Sequence, residues 1–317
     1  MKILVYGAGV IGTLYAARLQ DAGHHVAILA RASRLANIRR HGLVLEDVLT
    51  GTRSATTVTV AERLSVDEVY DLALISVRRD QLSTILPDLA QARNIPSVLF
   101  MLNNPSGSVA LAETLGSERV LLGFPGAGGS LQDGVVYYAF IAQQPTTIGE
   151  PNGKKTARLR ALANAFSAGG FPTRMDNNMD AWLTWHAFFI TSVCSAIYLA
   201  GGNCQDLSRD GRLLNSMIDG VREGFSVVRT LGQPVHPSSL NVLFRYVPRP
   251  LVVNYWQRFF SGPLAEFVFA RHARHARAEM KMLATDCRLL LEKSGVPTPT
   301  LDTLYGAINE YAAANQH

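Results

Sequence analysis

A glycine-rich turn near the start of the sequence carries the clearest chemical signal. The turn consists of Gly7, Ala8, Gly9, Val10, Ile11 and Gly12. It follows an apolar segment with strand character and opens a helical segment, the setting in which a G-x-G-x-x-G pattern binds a dinucleotide. In such a site Gly7 permits the tight turn, Gly9 lets a pyrophosphate approach bare backbone, and Gly12 allows close packing of helix on strand. The turn therefore predicts a dinucleotide site, with the phosphates at the positive end of the helix dipole. The alternative is a glycine turn without a ligand.

The residue that follows the second predicted strand indicates which dinucleotide is bound. Enzymes specific for NAD place an Asp or Glu here against the ribose hydroxyls. In this chain the strand over 25–30 is followed by Arg31, Arg34 comes next, and no acid lies between them. Because a guanidinium pairs well with a 2′-phosphate, the sequence favours NADP. The alternative is that both arginines belong to a solvated helix start.

Two further candidates follow the ends of predicted strands, where open α/β sheets bind their ligands. Arg78 follows the strand over 72–77 and is a candidate for contact with the substrate or a cofactor phosphate. Asn104 follows the strand over 97–102 and is a candidate for orienting the substrate or the nicotinamide ribose. Since Asn104 precedes Pro105, it could instead be an ordinary turn starter.

The frame that positions these residues is an alternation of short apolar runs and helical segments, typical of parallel strands with crossover helices. Strands are predicted over 2–6, 25–30, 72–77 and 97–102, and helices over 11–22, 33–40 and 81–91. Less regular strands follow near 120–123, 135–141 and 146–148, with a glycine-rich turn at 126–129. The sequence therefore predicts an α/β, Rossmann-type doubly wound sheet that binds NADP over 1–172.

Beyond residue 172 glycine becomes rarer and long helical periodicities dominate, which predicts a second, all-α domain over 173–317 that closes the site. Helices are expected over 207–231, 263–293 and 301–314. In the first long helix Trp182, Trp185 and His186 lie on one buried stripe. His186 is thus either a core histidine satisfied by one hydrogen bond or a catalytic group.

Composition limits the classes of function. The chain has 317 residues, 48% of them hydrophobic and 17% charged, which suits two compact domains. Its net charge of +5 is spread along the chain and suits an anionic small molecule better than nucleic acid. The three cysteines Cys194, Cys204 and Cys287 have no metal-ligand spacing, which favours a reducing cytosol. No signal peptide or uninterrupted membrane-length apolar run is recognised, so a cytoplasmic protein without a membrane partner is expected.

These elements together resemble the ketopantoate reductase (2-dehydropantoate 2-reductase) family over essentially the whole chain. The resemblance rests on the glycine turn, Ala30-Arg31, the basic residue after the third long strand, the Asn-x-x-Gly at 104–107, a Trp-containing helix opening the second domain and a carboxylate on a late helix. It implies reduction of a 2-oxo acid with NADPH, the substrate lying in the cleft with the helical domain. The family uses a lysine on the first long helix as general acid and a glutamate on a late helix to hold the substrate hydroxyl.

Carried over residue by residue, the resemblance places Glu279 at the family's glutamate and Asn104 at its cleft asparagine. Arg78 stands where relatives carry a lysine, a change that keeps the charge and alters the geometry. His186 stands where the catalytic lysine is expected, and an imidazolium there would protonate the alkoxide formed by hydride transfer. The other expected polar positions are replaced by Ile190, Cys194 and Phe267. These departures from the family's pattern remove polar groups that a small, hydroxylated 2-oxo acid would need, so we expect a more apolar substrate.

Glu279 also shares a helical face with His272 and His275 at spacings of three and four, a set that could in principle ligate zinc. No metal is predicted, because the nicotinamide reaction needs none. Arginines alternate with these residues, so a solvated helix surface is the other interpretation.

The leading hypothesis is an NADPH-dependent reductase of a 2-oxo acid or related carbonyl compound. The expected substrate is a small, anionic molecule. Two other hypotheses keep the same cofactor: an imine reductase or hydroxy-compound dehydrogenase, and a non-catalytic NADPH-binding sensor suggested by loss of the lysine. The long apolar helices of the second domain would either pack among themselves or form a homodimer.

Overall fold

The computed structural model describes residues 1–234 and 238–314, and the chain divides into two compact units. Unit 1 comprises Met1–Leu102 and Ser108–Met179, and unit 2 comprises Asn103–Gly107 and the residues from Asp180 onward. The expected division after residue 172 falls short of the end of unit 1, because Thr173–Met175 forms an edge strand of its main sheet. The short loop Asn103–Gly107, expected in the first domain, belongs to unit 2.

Unit 1 contains two sheets. Its strands are β1 (Lys2–Tyr6), β2 (His25–Leu29), β3 (Leu43–Asp47), β4 (Arg53–Thr56), β5 (Thr59–Ala61), β6 (Leu72–Ile75), β7 (Val98–Met101), β8 (Val120–Phe124), β9 (Ala127–Gln132), β10 (Val135–Phe140), β11 (Thr146–Gly149) and β12 (Thr173–Met175). Within the described residues the main sheet has the order β12-β11-β8-β7-β6-β1-β2-β5, and its neighbours run parallel apart from β11 and β8. The smaller sheet has the order β4-β3-β10-β9.

The centre of the main sheet explains the fold class. Ile3, Leu4 and Val5 of β1 are at most 1% exposed, so both faces of the strand are covered. Strands covered on both faces have continuous apolar sequences, and this pattern was the basis on which the strand was predicted. The helices of unit 1 follow strands along the chain: α1 (Val10–Asp21), α2 (Ala32–His41), α3 (Leu82–Gln91), α4 (Val109–Leu115) and α5 (Ala157–Ala168). The predicted α/β, Rossmann-type class is confirmed.

The predicted turn at 126–129 is wrong, because most of that segment belongs to strand β9. The turn lies at Asp133 and Gly134, whose φ angles of 47° and 83° are those of a two-residue hairpin loop. Glycine has a different purpose in β9: a Cβ on Gly129 would lie 2.1 Å from the backbone oxygen of Tyr137 on the neighbouring strand. Here glycine permits close approach of backbones and does not mark a turn.

Unit 2 is helical, as predicted. Its helices are α6 (Met179–Leu199, of which Met179 belongs to unit 1), α7 (Cys204–Arg209), α8 (Gly211–Thr230), α9 (Ser238–Tyr246), α10 (Arg249–Phe260), α11 (Pro263–Ala265), α12 (Arg271–His275), α13 (Arg277–Ser294) and α14 (Pro299–Ala314), with a π-helical turn over Glu266–Ala270. The single helix expected over 263–293 is therefore interrupted. Its break at Ala276 matters for the candidate site below.

Helix α6 is the core helix of unit 2. Trp185, Phe188 and Val193 are at most 1% exposed and belong to one large apolar cluster. Among the described residues it is also the one helix long and apolar enough to cross a membrane by length and composition. Polar residues interrupt the apolar run, so the sequence alone did not indicate this property. Since 94% of its most apolar window is buried inside the protein, α6 has the environment of a core helix.

Helix α8 approaches α6 closely because of two glycines one turn apart. A Cβ on Gly224 would lie 2.6 Å from Cβ of Phe188, and a Cβ on Gly220 would lie 3.0 Å from Oγ of Ser192. Real Cβ atoms do not come within the first of these distances, so any larger residue at 224 must push the two helices apart.

We therefore expect Gly224→Ala to destabilise the protein by about 1 to 3 kcal/mol, the usual cost of overpacking a core. Urea unfolding measures this change. Gly211→Ala is the matched control, because it lies on the same helix with nothing within 4 Å of the added Cβ. Equal stabilities of the two variants would contradict the close approach.

Candidate active site

The glycine turn joins β1 to α1 and combines an open backbone with a tightly packed one. Gly7 has φ +114°, a conformation that favours glycine. Gly9 precedes α1 in an extended conformation, and nothing lies within 4 Å of a Cβ built on it. In contrast, a Cβ on Gly12 would lie 1.8 Å from the backbone oxygen of Gly7. Gly12 is therefore required for the turn itself, whereas Gly9 leaves its backbone accessible at a helix N-terminus, where N–H groups are unpaired.

Two side chains hold the turn in place. The hydroxyl of Ser76 donates to the backbone oxygen of Gly7 at 3.0 Å. Arg34 donates from Nε to the oxygen of Ala8 at 3.1 Å and from its terminal nitrogens to Thr13 at 2.9 Å and Gly134 at 2.9 Å. Burial lowers the pKa of Arg34. Its guanidinium is committed to joining the glycine turn, α1 and the β9–β10 hairpin, so it is not the solvated helix-start residue that the sequence allowed.

Arg31, the predicted NADP determinant, is exposed at the start of α2. One terminal nitrogen lies 3.5 Å from the hydroxyl of Tyr6, the last residue of β1. The pKa of Tyr6 is raised, mainly by burial, with Arg31 acting in the opposite direction. The neighbouring Ala32 has φ +47°, a left-handed conformation that non-glycine residues rarely adopt. The guanidinium of Arg31 thus lies beside the end of β1, whose next residue is Gly7.

Arg78 lies two residues after Ser76, which contacts the glycine turn. Its side chain is 47% exposed, and its Nε lies 3.3 Å from a carboxylate oxygen of Asp80. An exposed pair of this kind contributes little to stability. The structure therefore leaves Arg78 available for an anion at this edge of the sheet.

Asn104 lies in the loop of unit 2 and is 3% exposed. Its Nδ2 donates to the backbone oxygen of Gly107 at 2.6 Å, and the N–H of Gly107 returns a bond to the oxygen of Asn104 at 3.3 Å. This is the turn geometry that the sequence offered as the alternative. The amide nitrogen of Asn104 therefore holds the loop.

The adjacent asparagine, Asn103, was not among the predicted site residues, and it joins the two predicted catalytic residues. Nδ2 of Asn103 donates to Oε1 of Glu279 at 3.0 Å, and Oδ1 of Asn103 lies 3.1 Å from Nδ1 of His186. Exposure is 6% for Asn103, 5% for His186 and 4% for Glu279. The structure thus brings His186 and Glu279 together through one amide. We call these three residues the buried trio.

The break in the late helix positions Glu279. Ala276 has φ −110° and ψ 31°, which ends α12 and makes Glu279 part of the first turn of α13. A carboxylate is favoured there, because the N–H groups and the dipole of a helix N-terminus stabilise a negative charge. The hydroxyl of Tyr198 donates to the backbone oxygen of Ala273 at 2.7 Å, supplying a partner beside the break. The predicted continuous helix would not have placed Glu279 at a helix end.

His186 is buried among aromatic side chains. The Trp182 ring stacks on it with centroids 5.1 Å apart, and Trp185 meets it edge-on at 6.4 Å. Burial, with a smaller contribution from His272, lowers the pKa of His186 from 6.5 to about 3. The imidazole is therefore neutral near neutral pH. The low-polarity surroundings disfavour the imidazolium in the protein alone, so His186 would have to gain a proton before it could protonate an alkoxide.

Three positions at which the resemblance leads one to expect polar residues carry Ile190, Cys194 and Phe267, and the structure shows their surroundings. Ile190 and Cys194 lie on α6 and are buried in the core of unit 2, and burial raises the pKa of the Cys194 thiol. Phe267, in the π-helical turn, has the guanidinium of Arg271 5.2 Å above its ring. None of the three offers a strong hydrogen-bond donor or acceptor.

The possible zinc set is not assembled. His275 is exposed, and its Nδ1 lies 2.7 Å from the backbone oxygen of Arg271, whereas Glu279 is buried beyond the helix break. No group of three or more His, Cys, Asp or Glu able to hold a metal occurs among the residues described.

The chain is similar to one protein-family model and to several known proteins. A family model described as "Ketopantoate reductase PanE/ApbA" matches residues 3–153. The chain is 28% identical over 170 residues to the "Uncharacterized oxidoreductase YkpB" of Bacillus subtilis, covering 53% of this chain and 54% of the relative. It is 31% identical over 177 residues to the 2-dehydropantoate 2-reductase of Halobacterium salinarum, covering 55% and 57%. The chain thus spans little more than half the length of these two relatives.

Solved structures with similar folds cover the whole chain. The PanE/ApbA family ketopantoate reductase from Ralstonia eutropha is 22% identical with a TM-score of 0.77, and 100% of each chain is covered. A D-mandelate dehydrogenase with NADH and anilino(oxo)acetate is 17% identical with a TM-score of 0.78, and 99% of each chain is covered. At these identities the likeness shows the fold, an N-terminal Rossmann part followed by a helical part.

The low pKa of His186 makes stability depend on pH. Below its ordinary pKa of 6.5 and down to about 3, the unfolded chain binds a proton at this residue and the folded chain does not. The free energy of unfolding therefore falls as the pH is lowered through this range. We expect His186→Gln to lose less stability than the parent between pH 7 and about 5, the difference growing by at most about 1.4 kcal/mol per pH unit. Urea unfolding at several pH values measures it.

The exposed His25 provides the control for this experiment. His25→Gln should follow the parent curve. Parallel curves for the parent and His186→Gln would mean that His186 titrates normally in the folded protein.

Proposed function

We propose that the chain is an NADPH-dependent reductase of a 2-oxo acid or related carbonyl compound, from the premise that a model of the ketopantoate reductase PanE/ApbA family matches its residues 3–153. One observation carries the proposal: the turn after β1 leaves the backbone open at Gly9, at the N-terminus of α1. This is how Rossmann folds receive the pyrophosphate of a dinucleotide.

The residues of unit 1 fit a nicotinamide dinucleotide. Gly9 leaves the space that a Cβ would fill, and the N–H groups at the start of α1 would bind the pyrophosphate. Arg31 would bind the 2′-phosphate, and Arg78 would bind a further anionic group of the cofactor or substrate. When bound, the reduced cofactor supplies the hydride for the carbonyl carbon. The solved D-mandelate dehydrogenase of similar fold contains NADH, so the nicotinamide class is supported by fold and the choice of NADP by Arg31.

In unit 2 the buried trio supplies the polar groups for the substrate. By the resemblance, Glu279 and His186 would occupy the positions that the family uses for orienting and proton-handling groups. Where the resemblance leads one to expect further polar groups, this chain has Ile190, Cys194 and Phe267, and Trp182 stacks on the imidazole of His186. A hydroxylated acid would require hydrogen-bonding partners there. We infer a 2-oxo acid whose remaining part is apolar or aromatic. The anilino(oxo)acetate bound by the similar D-mandelate dehydrogenase is a compound of that kind.

The test is consumption of NADPH with a panel of carbonyl compounds that includes ketopantoate, aliphatic 2-oxo acids, phenylglyoxylate and cyclic imines. We expect turnover with 2-oxo acids, and a higher kcat/KM for apolar members than for ketopantoate. Gly9→Val is the matched control: it adds volume in open space, so the melting temperature should hold while NADPH binding and turnover are lost. Binding of NADPH without consumption across the panel would favour a sensor, and turnover confined to imines would favour an imine reductase.

Cofactor preference gives a second prediction. A charge-assisted contact of about 1.5 to 3 kcal/mol implies that NADPH binds roughly tenfold to hundredfold more tightly than NADH. Arg31→Ala should remove this preference by weakening NADPH alone. Fluorescence titration with both cofactors measures the ratio, and Arg39→Ala, an exposed arginine in the last turn of α2, should leave it unchanged. A ratio of one in the parent protein would show that Arg31 does not select the cofactor.

A further inference from the structure

We propose that Asn103 is a positioning residue that holds His186 as the Nδ1–H tautomer, so that Nε2 is the nitrogen that accepts the proton of a substrate hydroxyl. The proposal rests on the function proposed above, a reduction whose reverse is oxidation of the hydroxy acid, and it assigns the nitrogen that exchanges the proton in both directions. Asn103 lies two positions beyond the end of β7, and the residue predicted for the site was its neighbour Asn104.

The orientation of the Asn103 amide follows from its partner. An ionised carboxylate only accepts hydrogen bonds, so the NH2 group of Asn103 must face Oε1 of Glu279, 3.0 Å away. The amide oxygen then faces Nδ1 of His186 at 3.1 Å. A carbonyl oxygen only accepts, so the proton between them belongs to Nδ1. Glu279 thereby determines, through one amide, which imidazole nitrogen carries hydrogen.

Three features of unit 2 enforce this arrangement. Glu279 lies in the first turn of α13, the end of a helix at which an acidic side chain interacts favourably with the helix dipole. All three residues are at least 94% buried, so water is a poor substitute for any partner, and breaking the chain of hydrogen bonds would leave a buried polar group unsatisfied. Trp182, stacked on the imidazole, further fixes the plane of the ring.

The chemical consequence concerns a single proton. With hydrogen on Nδ1, the lone pair of the neutral ring is on Nε2. In oxidation, the substrate O–H bond breaks and the proton forms a bond to Nε2, while the oxygen keeps the electron pair that becomes the carbonyl bond. The hydride that leaves the same carbon is taken up by oxidised nicotinamide cofactor. In the reverse direction the same nitrogen returns the proton, so it must first be protonated.

The tautomer can be measured without cofactor or substrate. Nitrogen-15 NMR of the full chain labelled at the histidine rings distinguishes protonated from unprotonated ring nitrogens, and His186→Gln identifies the His186 signals. We expect Nδ1 protonated and Nε2 unprotonated near neutral pH, the reverse of the usual preference of a free histidine. An Nε2–H tautomer in the parent protein would overturn the proposal. Since this readout needs no turnover, it stands apart from any failure of the proposed activity.

Variants then test the role of the amide. Asn103→Leu should remove the Nδ1–H tautomer. The double variant Asn103→Asp with Glu279→Gln exchanges the polarity: the carboxylate at 103 accepts from both neighbours, and Nδ1–H should be retained at a pH where the ring is neutral. Retention of the parent tautomer in Asn103→Leu, or its loss in a folded double variant, would contradict the role of Asn103. If Asn103→Leu does not fold, the double variant, which keeps the shape of both side chains, decides.

Kinetics provide the functional readout once a substrate is known. Asn103→Leu should lower kcat for oxidation of the hydroxy acid by about a hundredfold or more, the scale of a positioned base, with a small change in KM for NADP⁺. A merely structural role would instead change the melting temperature and leave kcat of the folded fraction intact. The exposed Asn94→Leu, elsewhere in the chain, controls for loss of a surface asparagine amide.

Discussion

The ionisable side chains of His186 and Glu279 are both buried in unit 2, and both are hydrogen-bonded to the amide of Asn103. The organisation around the candidate site follows from that constraint. A buried polar group must be hydrogen-bonded or its burial costs several times what the bond contributes. Asn103 satisfies His186 on one side and Glu279 on the other. The same burial that makes these bonds necessary keeps the imidazole neutral. The helix break at Ala276 and the bond from Tyr198 are then the means by which the late helix presents a carboxylate to that amide.

The requirement in unit 1 is the opposite one, because a phosphate site must leave backbone N–H groups without a partner inside the protein. Here the open position, Gly9, is surrounded by positions that are fully packed or bonded: Gly12 touches the turn and Arg34 ties the oxygen of Ala8 to α1 and to a hairpin of the second sheet. The turn is therefore held in its binding conformation by internal contacts. Arg31 is exposed and is the arginine that we propose to bind the 2′-phosphate, whereas Arg34, three residues on, donates its hydrogen bonds inside unit 1.

Much of this could be predicted from the sequence, and the failures have physical reasons. The central strands, the glycine turn and the helical second unit are strong local patterns, so they were recognised. Asn103 was not distinguished from Asn104, because adjacent residues of one type differ only in the direction their side chains take after β7. The break at Ala276 has no glycine or proline to announce it. The protonation of His186 depends on the depth of burial, which a stripe of aromatic residues indicates only in part.

The loop Asn103–Gly107 makes unit 2 depend on the N-terminal half of the sequence. Both flanking residues, Leu102 and Ser108, belong to unit 1, but the loop itself belongs to unit 2. A fragment beginning at Asp180 would carry His186 and Glu279 and lack the amide that joins them. An exchange of C-terminal halves between relatives would likewise replace the residues at positions 186 and 279 and keep the original residue at position 103. The half of the gene that encodes the cofactor fold therefore also encodes one member of the buried trio, so the two halves are expected to have changed together and not as independent modules.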